Sequence, residues 1–429
     1  MPSRYPRTAI LHYSVPPVVG GVEAVIAAHA RIFCRSGYPV TIVSGRGEQE
    51  ALADTADLIV IPEMDSQHAE IVRINVDLER GEVPPDFEKM VFSLSGTLIP
   101  LLSKFEMVIA HNLFTKHFNL PLTAALYRLL DQGIIQNCIA WCHDFSWTSP
   151  HSRKSLHPGY PWDLLRTYRP DVSYVVVSRS RQRSLTNLLK CPLERIHVIY
   201  NGVDPTTLLG LSHEASRLVQ HLGLMESDLV LLMPVRVTRA KNIEFALHVL
   251  AALKEHGCQP KLVLTGPPDP HDGQSMAYFR SLQDLRRELG VEQHMHFVFD
   301  SGPDSRRPYY IDSRVVGDLF RVSDVMFMPS FREGFGMPVL EAGLIGLPVV
   351  STRIPASVEI GAPDIAMFEP GDAPEQVARL ILDIAQGSPL QRFRRRVRRN
   401  YTWQAIFEMQ IEPLLYPQLN ESKIVEEIK

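Results

Sequence analysis

The amino-acid sequence predicts an α/β protein of two doubly wound, Rossmann-like parallel-sheet domains, and three observations predict it. The chain has 429 residues, more than one ordinary hydrophobic core supports. Short, nearly continuous apolar runs alternate with helical patterns, as strands buried on both faces alternate with crossover helices. A turn-rich passage after Asn201-Gly202-Val203-Asp204 separates two such series.

In the first series the runs at 8–13, 38–44, 57–61, 106–111, 137–143, 173–178 and 195–200 read as strands, and 22–33 has the period of a helix. In the second, 229–235, 261–265, 294–299, 324–328 and 348–351 read as strands, with helices near 242–254, 276–289, 337–344 and 374–385. The predicted domains are 1–207 and 208–400, with a C-terminal helix and tail, 401–429, packing back toward the first domain. Tandem domains of this kind are expected to meet across a central cleft at their C-terminal strand ends, where open α/β sheets bind ligands. Residues 62–92, polar and scattered with acids, read as an insertion or irregular helices. The arginine-rich stretch Arg392 to Arg399 reads as a solvated helix, with contact to an anionic membrane surface as the alternative.

Composition removes several classes of function. Hydrophobic content of 45% and charged content of 21% describe a globular chain. A formal net charge of -4 with mixed signs offers no broad basic surface for nucleic acid. No apolar run approaches the ~18–20 residues of a membrane span, and the N-terminus lacks a signal-peptide core. A cytoplasmic protein without a membrane partner is therefore expected; the oligomeric state is not legible. Five cysteines lie scattered. Cys138 and Cys142, four apart on one strand before His143, read as reduced core cysteines, because no second ligand pair follows at zinc-site spacing.

The strongest chemical signal is Glu333-Gly334-Phe335-Gly336-Met337-Pro338-Val339-Leu340-Glu341, which follows a predicted strand. Gly334 and Gly336 free the backbone to approach a ligand, and Pro338 suits a first helical turn. The helix that starts there points its unpaired N–H groups at the loop, a natural seat for a diphosphate. Glu333 on the loop and Glu341 within the helix can then reach opposite ends of one ligand. Upstream, Arg236 and Lys241 follow the first strand of the second series. Cations are slightly unfavourable at a helix start, so charge compensation for a departing diphosphate explains them better than surface solvation. Arg239, among small residues, is expected in solvent.

These residues carry a resemblance. The E-x7-E pattern of Glu333 and Glu341, with Glu-Gly-Phe-Gly-Met-Pro-Val-Leu-Glu-Ala-Gly, resembles the retaining nucleotide-sugar glycosyltransferases of GT-B architecture, family 4 type. Gly20-Gly21, His143-Asp144, the Asn201 to Asp204 junction, and Arg236 with Lys241 extend it over most of the chain. The resemblance implies that Glu333 binds donor-sugar hydroxyls and Glu341 the nucleotide ribose. Gly20, Gly21, Arg236, Lys241, Gly334, Phe335, Gly336 and Met337 would complete the donor contacts, and His143 would touch a sugar hydroxyl. It also implies same-face substitution, in which the leaving phosphate helps take the acceptor proton. The donor is expected to be UDP-glucose or GDP-mannose.

No cofactor or metal is expected. Asp269, His271 and Asp272 are the best counter-candidates for a divalent ion, although the prolines around them make a rigid loop the simpler reading. The acceptor is expected in the first domain, on the long aromatic, proline-containing segment after His143. Trp147, Tyr160 and Trp162 offer faces for a sugar ring, Asp144 a carboxylate, and Arg153, Lys154 and Arg166 a grip for an anionic group. A small anionic acceptor such as a sugar acid follows. Three rivals stay open: an epimerase, a phosphorylase, and a non-catalytic nucleotide-sugar-binding subunit.

Overall fold

The structure is a computed structural model and describes residues 5–304 and 307–415. The chain divides into two compact units, one of Met1–Gly202 with Ile406–Lys429 and the other of Val203–Ala405.

The first unit is a seven-stranded parallel sheet of β1 (Thr8–His12), β2 (Val40–Ser44), β3 (Asp57–Val60), β4 (Met107–His111), β5 (Cys138–Cys142), β6 (Val172–Val176) and β7 (Ile196–Val198). Its order is β3-β2-β1-β4-β5-β6-β7. Side chains alternate between two cores: Ala9, Leu11, Val43 and Ala110 point to one, Ile10, Ile42, Ile109 and Ile139 to the other. Helix Gly21–Arg35 covers the second face with Ile26, Ala30 and Phe33.

The stretch expected to be irregular, 62–92, is mostly regular. It contains helix Ala69–Glu79 and the start of helix Pro85–Leu102. The latter buries Phe87, Met90, Val91, Leu94, Leu98 and Leu102, an i, i+3, i+4, i+7 stripe that continues past residue 92. A reading that stops at 92 sees only the polar first half of that period.

The second unit is a six-stranded parallel sheet of β8 (Leu229–Met233), β9 (Pro260–Leu264), β10 (Met295–Phe297), β11 (Val325–Met328), β12 (Val349–Thr352) and β13 (Ala366–Phe368), ordered β10-β9-β8-β11-β12-β13. The edge strand β13, only partly buried, has no counterpart among the predicted runs. Helices Ile243–Glu255 and Pro374–Gly387 cover one face.

The arginine stretch forms helix Pro389–Asn400, and much of its charge is turned inward. Arg398 is buried, pairs with Asp324 at 2.8 Å and donates to the Ser227 carbonyl. Arg399 pairs with Asp228 at 2.7 Å, and Arg395 donates to the Ala385 carbonyl. The solvated-helix expectation is corrected to this extent: the outer face is solvated, while the inner arginines bind the helix to its own unit. Beyond it, Phe407, Ile411 and Leu415 join the core of the first unit, where Phe407 packs edge-on against Phe33 and Tyr38. The tail expected at 416–429 lies outside the described residues. Among the described residues no helix is long and apolar enough to cross a membrane.

Candidate functional site

In the second unit the chain leaves β8 for β9 and β10 on one side and returns with β11 on the other. The loops after β8 and β11 therefore diverge at the C-terminal edge of the sheet, the switch point at which doubly wound sheets bind ligands. The β8 loop carries Arg236 and Lys241, and the β11 loop carries Glu333. The loops are stitched together: Phe331 N–H donates to the Ala240 carbonyl at 2.9 Å. Lys241 Nζ donates to both carboxylate oxygens of Glu333, at 2.7 and 2.8 Å. The two side chains are 19% and 9% exposed, so the pair is largely withdrawn from solvent.

Arg236 is exposed and has no ion-pair partner among the described residues. Its backbone rests on Gly266, where a Cβ would lie 2.5 Å from the Val235 carbonyl oxygen. Gly266 is thus the residue that lets the β9 loop lie along the β8 loop. Arg239 stands partly in solvent as expected, but its guanidinium also sits 4.6 Å over the Tyr278 ring. Helix Met337–Leu344 begins behind Gly336, whose φ of 93° lies in the left-handed region that favours glycine. Phe335 and Met337 are exposed beside it, and Gly334 has open space around it. Glu341 is exposed on that helix, and no ion pair among the described residues joins it or Arg236 to the Lys241–Glu333 pair.

The first unit has its own switch point between β1 and β4. Three adjacent strands end on histidine: β1 on His12, β4 on His111, and β5 one residue before His143. The pairings Leu11 with Ala110 and His111 with Trp141 set these ends side by side. His12 Nδ1 lies 2.9 Å from the His111 carbonyl, so that nitrogen carries the proton. His111 Nδ1 and His143 Nε2 are 3.1 Å apart, and His29 packs against Trp141. Burial pushes His143 down to about 4 and His29 to about 3, and lowers His12 and His111 as well. All four are neutral at pH 7. Asn112, at φ 60°, receives the backbone N–H of His143 at 2.8 Å. Asp144 is exposed and pairs with Arg181 at 2.7 Å.

Gly20 caps helix Gly21–Arg35, and the structure gives it a reason unlike the expected one. A Cβ at Gly20 would lie 2.1 Å from Glu23 Oε2, so the missing side chain makes room for a carboxylate. Ser14 donates to Glu23 Oε1 at 2.8 Å, and His12 Nε2 stands 3.9 Å from the same oxygen. A carboxylate in the first turn thus faces the helix N-terminus. Gly21 has open space about it. His12, Glu23, His111 and Asn112 were not singled out from sequence, although three strands ending on histidine were there to be read.

The segment after His143 is pinned by its own aromatics. Trp162 is only 3% exposed and its carbonyl accepts from Trp147 Nε1 at 3.1 Å. Arg166 stacks 4.1 Å over the Trp147 ring and pairs with Asp163. Arg166 is thus engaged within the segment, while Trp162, though buried, forms part of a cavity wall. Tyr160 is half exposed, donates to Glu88 at 2.9 Å and stands edge-on to Phe87. Arg153 and Lys154 are exposed, without ion pairs among the described residues. Cys138 and Cys142 are buried free thiols, both pushed up to about 12 by burial. Asp269 and Asp272 accept from the backbone N–H of His271 and Gln274 in two exposed turns. Among the described residues no three His, Cys, Asp or Glu side chains are grouped to hold a metal ion.

Residues 216–401 match the family "Glycosyl transferases group 1", and residues 19–207 match "Glycosyltransferase Family 4". An uncharacterized glycosyltransferase of Methanocaldococcus jannaschii is 27% identical over 209 residues, 48% of each chain. The mannosylglucosylglycerate synthase of Petrotoga mobilis is 26% identical over 271 residues, 58% of this chain and 60% of that one. The chain thus spans about half the length of the curated relatives it matches. Among solved structures, Anabaena HepE in complex with UDP-glucose aligns over 98% of this chain and 100% of its own, at 17% identity and a TM-score of 0.34.

Proposed function

We propose that this chain, which belongs to the GT-B glycosyltransferases of family 4 type, moves a hexose from UDP-glucose or GDP-mannose to an acceptor hydroxyl with retention of configuration. The observation that carries the proposal is the Lys241–Glu333 pair on the diverging loops of the second sheet, beside the glycine-capped start of helix Met337–Leu344. A carboxylate held by a lysine is a positioned acceptor for sugar hydroxyls. The lysine, Arg236 and the free N–H groups of the helix supply fixed positive charge for a nucleoside diphosphate as it leaves. Glu341, one turn further along the helix, is assigned the ribose.

The first unit is assigned the acceptor. His143, pushed down to about 4, is too weak a base to draw a proton from a hydroxyl at neutral pH, but it is a good neutral hydrogen-bond partner. That favours same-face substitution, in which a phosphate oxygen of the leaving group takes the proton and the protein supplies positioning and electrostatics. Arg153 and Lys154 remain available for an anionic group. The Petrotoga relative, whose named product contains a glycerate, is consistent with such an acceptor.

The test is a screen of common nucleotide sugars for hydrolysis and for transfer to hydroxyl acceptors, with the anomer of the product read by NMR. Release of nucleoside diphosphate from one donor with an α-linked product is expected. A product of inverted configuration sinks the mechanism, and binding without turnover would favour the non-catalytic rival. Because protein cations are assigned the diphosphate charge, activity is expected to survive excess EDTA; loss of transfer restored by magnesium or manganese would overturn that assignment.

A further inference from the structure

We propose that a cavity of the first unit seats a neutral sugar ring, so that the acceptor is a glycoside; the acceptor role rests on the transferase reading above. The cavity has a volume of about 290 Å³, near the lower end of the ~300–1,000 Å³ usual for small-molecule sites. Helix Ala69–Glu79, the loop before it, residues 117–120 and the segment from Ser155 to Trp162 enclose it. It holds one ring with its hydroxyls and not an extended chain.

The chemistry of its wall selects the occupant. Gln67, Asn75, Ser66 and Ser155 contribute amides and hydroxyls, Glu79 a carboxylate, and no lysine or arginine lines it. A phosphate or carboxylate would meet the Glu79 carboxylate in the wall, the nearest cation there being Lys116 behind the Phe118 ring, whereas ring hydroxyls can both donate to Glu79 and accept from the amides. Phe118, 40% exposed, carries Lys116 Nζ 4.5 Å over one face of its ring and leaves the other as an apolar surface. The indole N–H of Trp162, in the same wall, has no acceptor among the described residues.

His117 adds a donor of known orientation. Ser146 Oγ accepts from His117 N–H at 3.1 Å and lies 2.7 Å from His117 Nδ1. Ser146 is fully buried, and its one proton has His117 Nδ1 as its acceptor. The imidazole therefore carries its own proton on Nε2. Burial pushes the ring down to about 4, so it borders the cavity as a neutral imidazole.

The cavity is also tied to the candidate catalytic histidine. Loop 112–118 is clipped to loop 143–146 at three points: Asn112 Oδ1 accepts from His143 N–H, Ser146 N–H donates to the Thr115 carbonyl, and His117 N–H donates to Ser146 Oγ. One end of this clip carries His143, and the other carries His117 and Phe118. A glycoside whose ring fills the cavity is held by the structure that also positions His143.

The experiment uses saturation-transfer NMR on the full chain with the methyl α-glycosides of glucose, mannose and galactose, and with glycerate and inorganic phosphate as anionic probes. Donor hydrolysis is assayed on the same samples. At least one methyl glycoside is expected to bind, with binding abolished by Ser155→Trp, which fills the cavity, and about fivefold weaker in Gln67→Ala, which loses one hydrogen bond. Donor hydrolysis is expected to persist in both. If Ser155→Trp does not fold, the Gln67→Ala shift decides alone. No glycoside binding to the parent chain, or equal binding to parent and variants, overturns the proposal. So does binding of only glycerate or phosphate. Glycoside binding that the variants remove, in a chain that hydrolyses no donor, leaves the sugar site standing and removes the transferase reading. Donor hydrolysis with no glycoside binding does the reverse.

Discussion

Acidification from pH 7 to pH 5 is expected to destabilise the first unit, where burial lowers His12, His29, His111, His117 and His143, more than the second, where it lowers His296. His12, His29, His111 and His143 are each at most 7% exposed, and each is lowered by burial from an ordinary value of 6.5. As pH falls, the unfolded chain takes up these protons first. Their contribution is therefore complete above 6.5 and is lost as pH falls from 6.5 toward 4 and below. Each histidine costs about 1.4 kcal/mol per pH unit within that window. With His143 at about 4 and His29 at about 3, each loses about 2 kcal/mol by pH 5, so these two lose about 4 kcal/mol together, and His12 and His111 act in the same direction. That is a sizeable part of the ~5–15 kcal/mol that holds a domain together. Urea titrations at pH 7, 6 and 5, followed by tryptophan fluorescence, read this directly. Trp141, Trp147 and Trp162 belong to the first unit and Trp403 to the second. His29→Leu is expected to reduce the pH slope by about one proton. An unfolding free energy that stays flat from pH 7 to pH 5 would refute the reasoning.

Glu333→Ala is expected to lower turnover ~100-fold or more, and Glu341→Ala mainly to weaken nucleotide affinity; equal turnover losses with unchanged nucleotide binding would contradict that division. Arg236→Ala and Lys241→Met should each cost about 2–4 kcal/mol of transition-state stabilisation. Only Lys241→Met should also lower stability, by about 1–3 kcal/mol, because it strands the largely buried Glu333 carboxylate. Steady-state kinetics beside thermal melts separate the two effects, and kinetics within threefold of the parent for both would place the diphosphate elsewhere. Gly336→Ala is expected to cost about 1–2 kcal/mol in a urea titration, since its φ of 93° is strained for any Cβ, which would also stand 3.2 Å from Ile360 Cδ1. An unchanged midpoint would show that the loop relaxes freely.

What the sequence by itself determined is whatever is written in local period and turn chemistry. Buried parallel strands are near-continuous apolar runs, so twelve of the strands were legible; the partly buried edge strand β13 was not. Helix Met337–Leu344 was legible to both ends because a glycine and a proline mark its start. The E-x7-E pattern identified the family for a related reason, since its residues lie on one loop and the helix that follows. Only the tertiary structure decided which side chains meet. Lys241 and Glu333 are 92 positions apart and touch because β8 and β11 are neighbours in the sheet; no local period records that order. Strand order likewise gathers His12, His111 and His143. The same limit explains an error. Arg398 looks like a surface contact in a linear reading, because its partner Asp324 is supplied by the packing of a separate segment. Periodicity tells a residue which face it is on, and the fold alone tells it what is opposite.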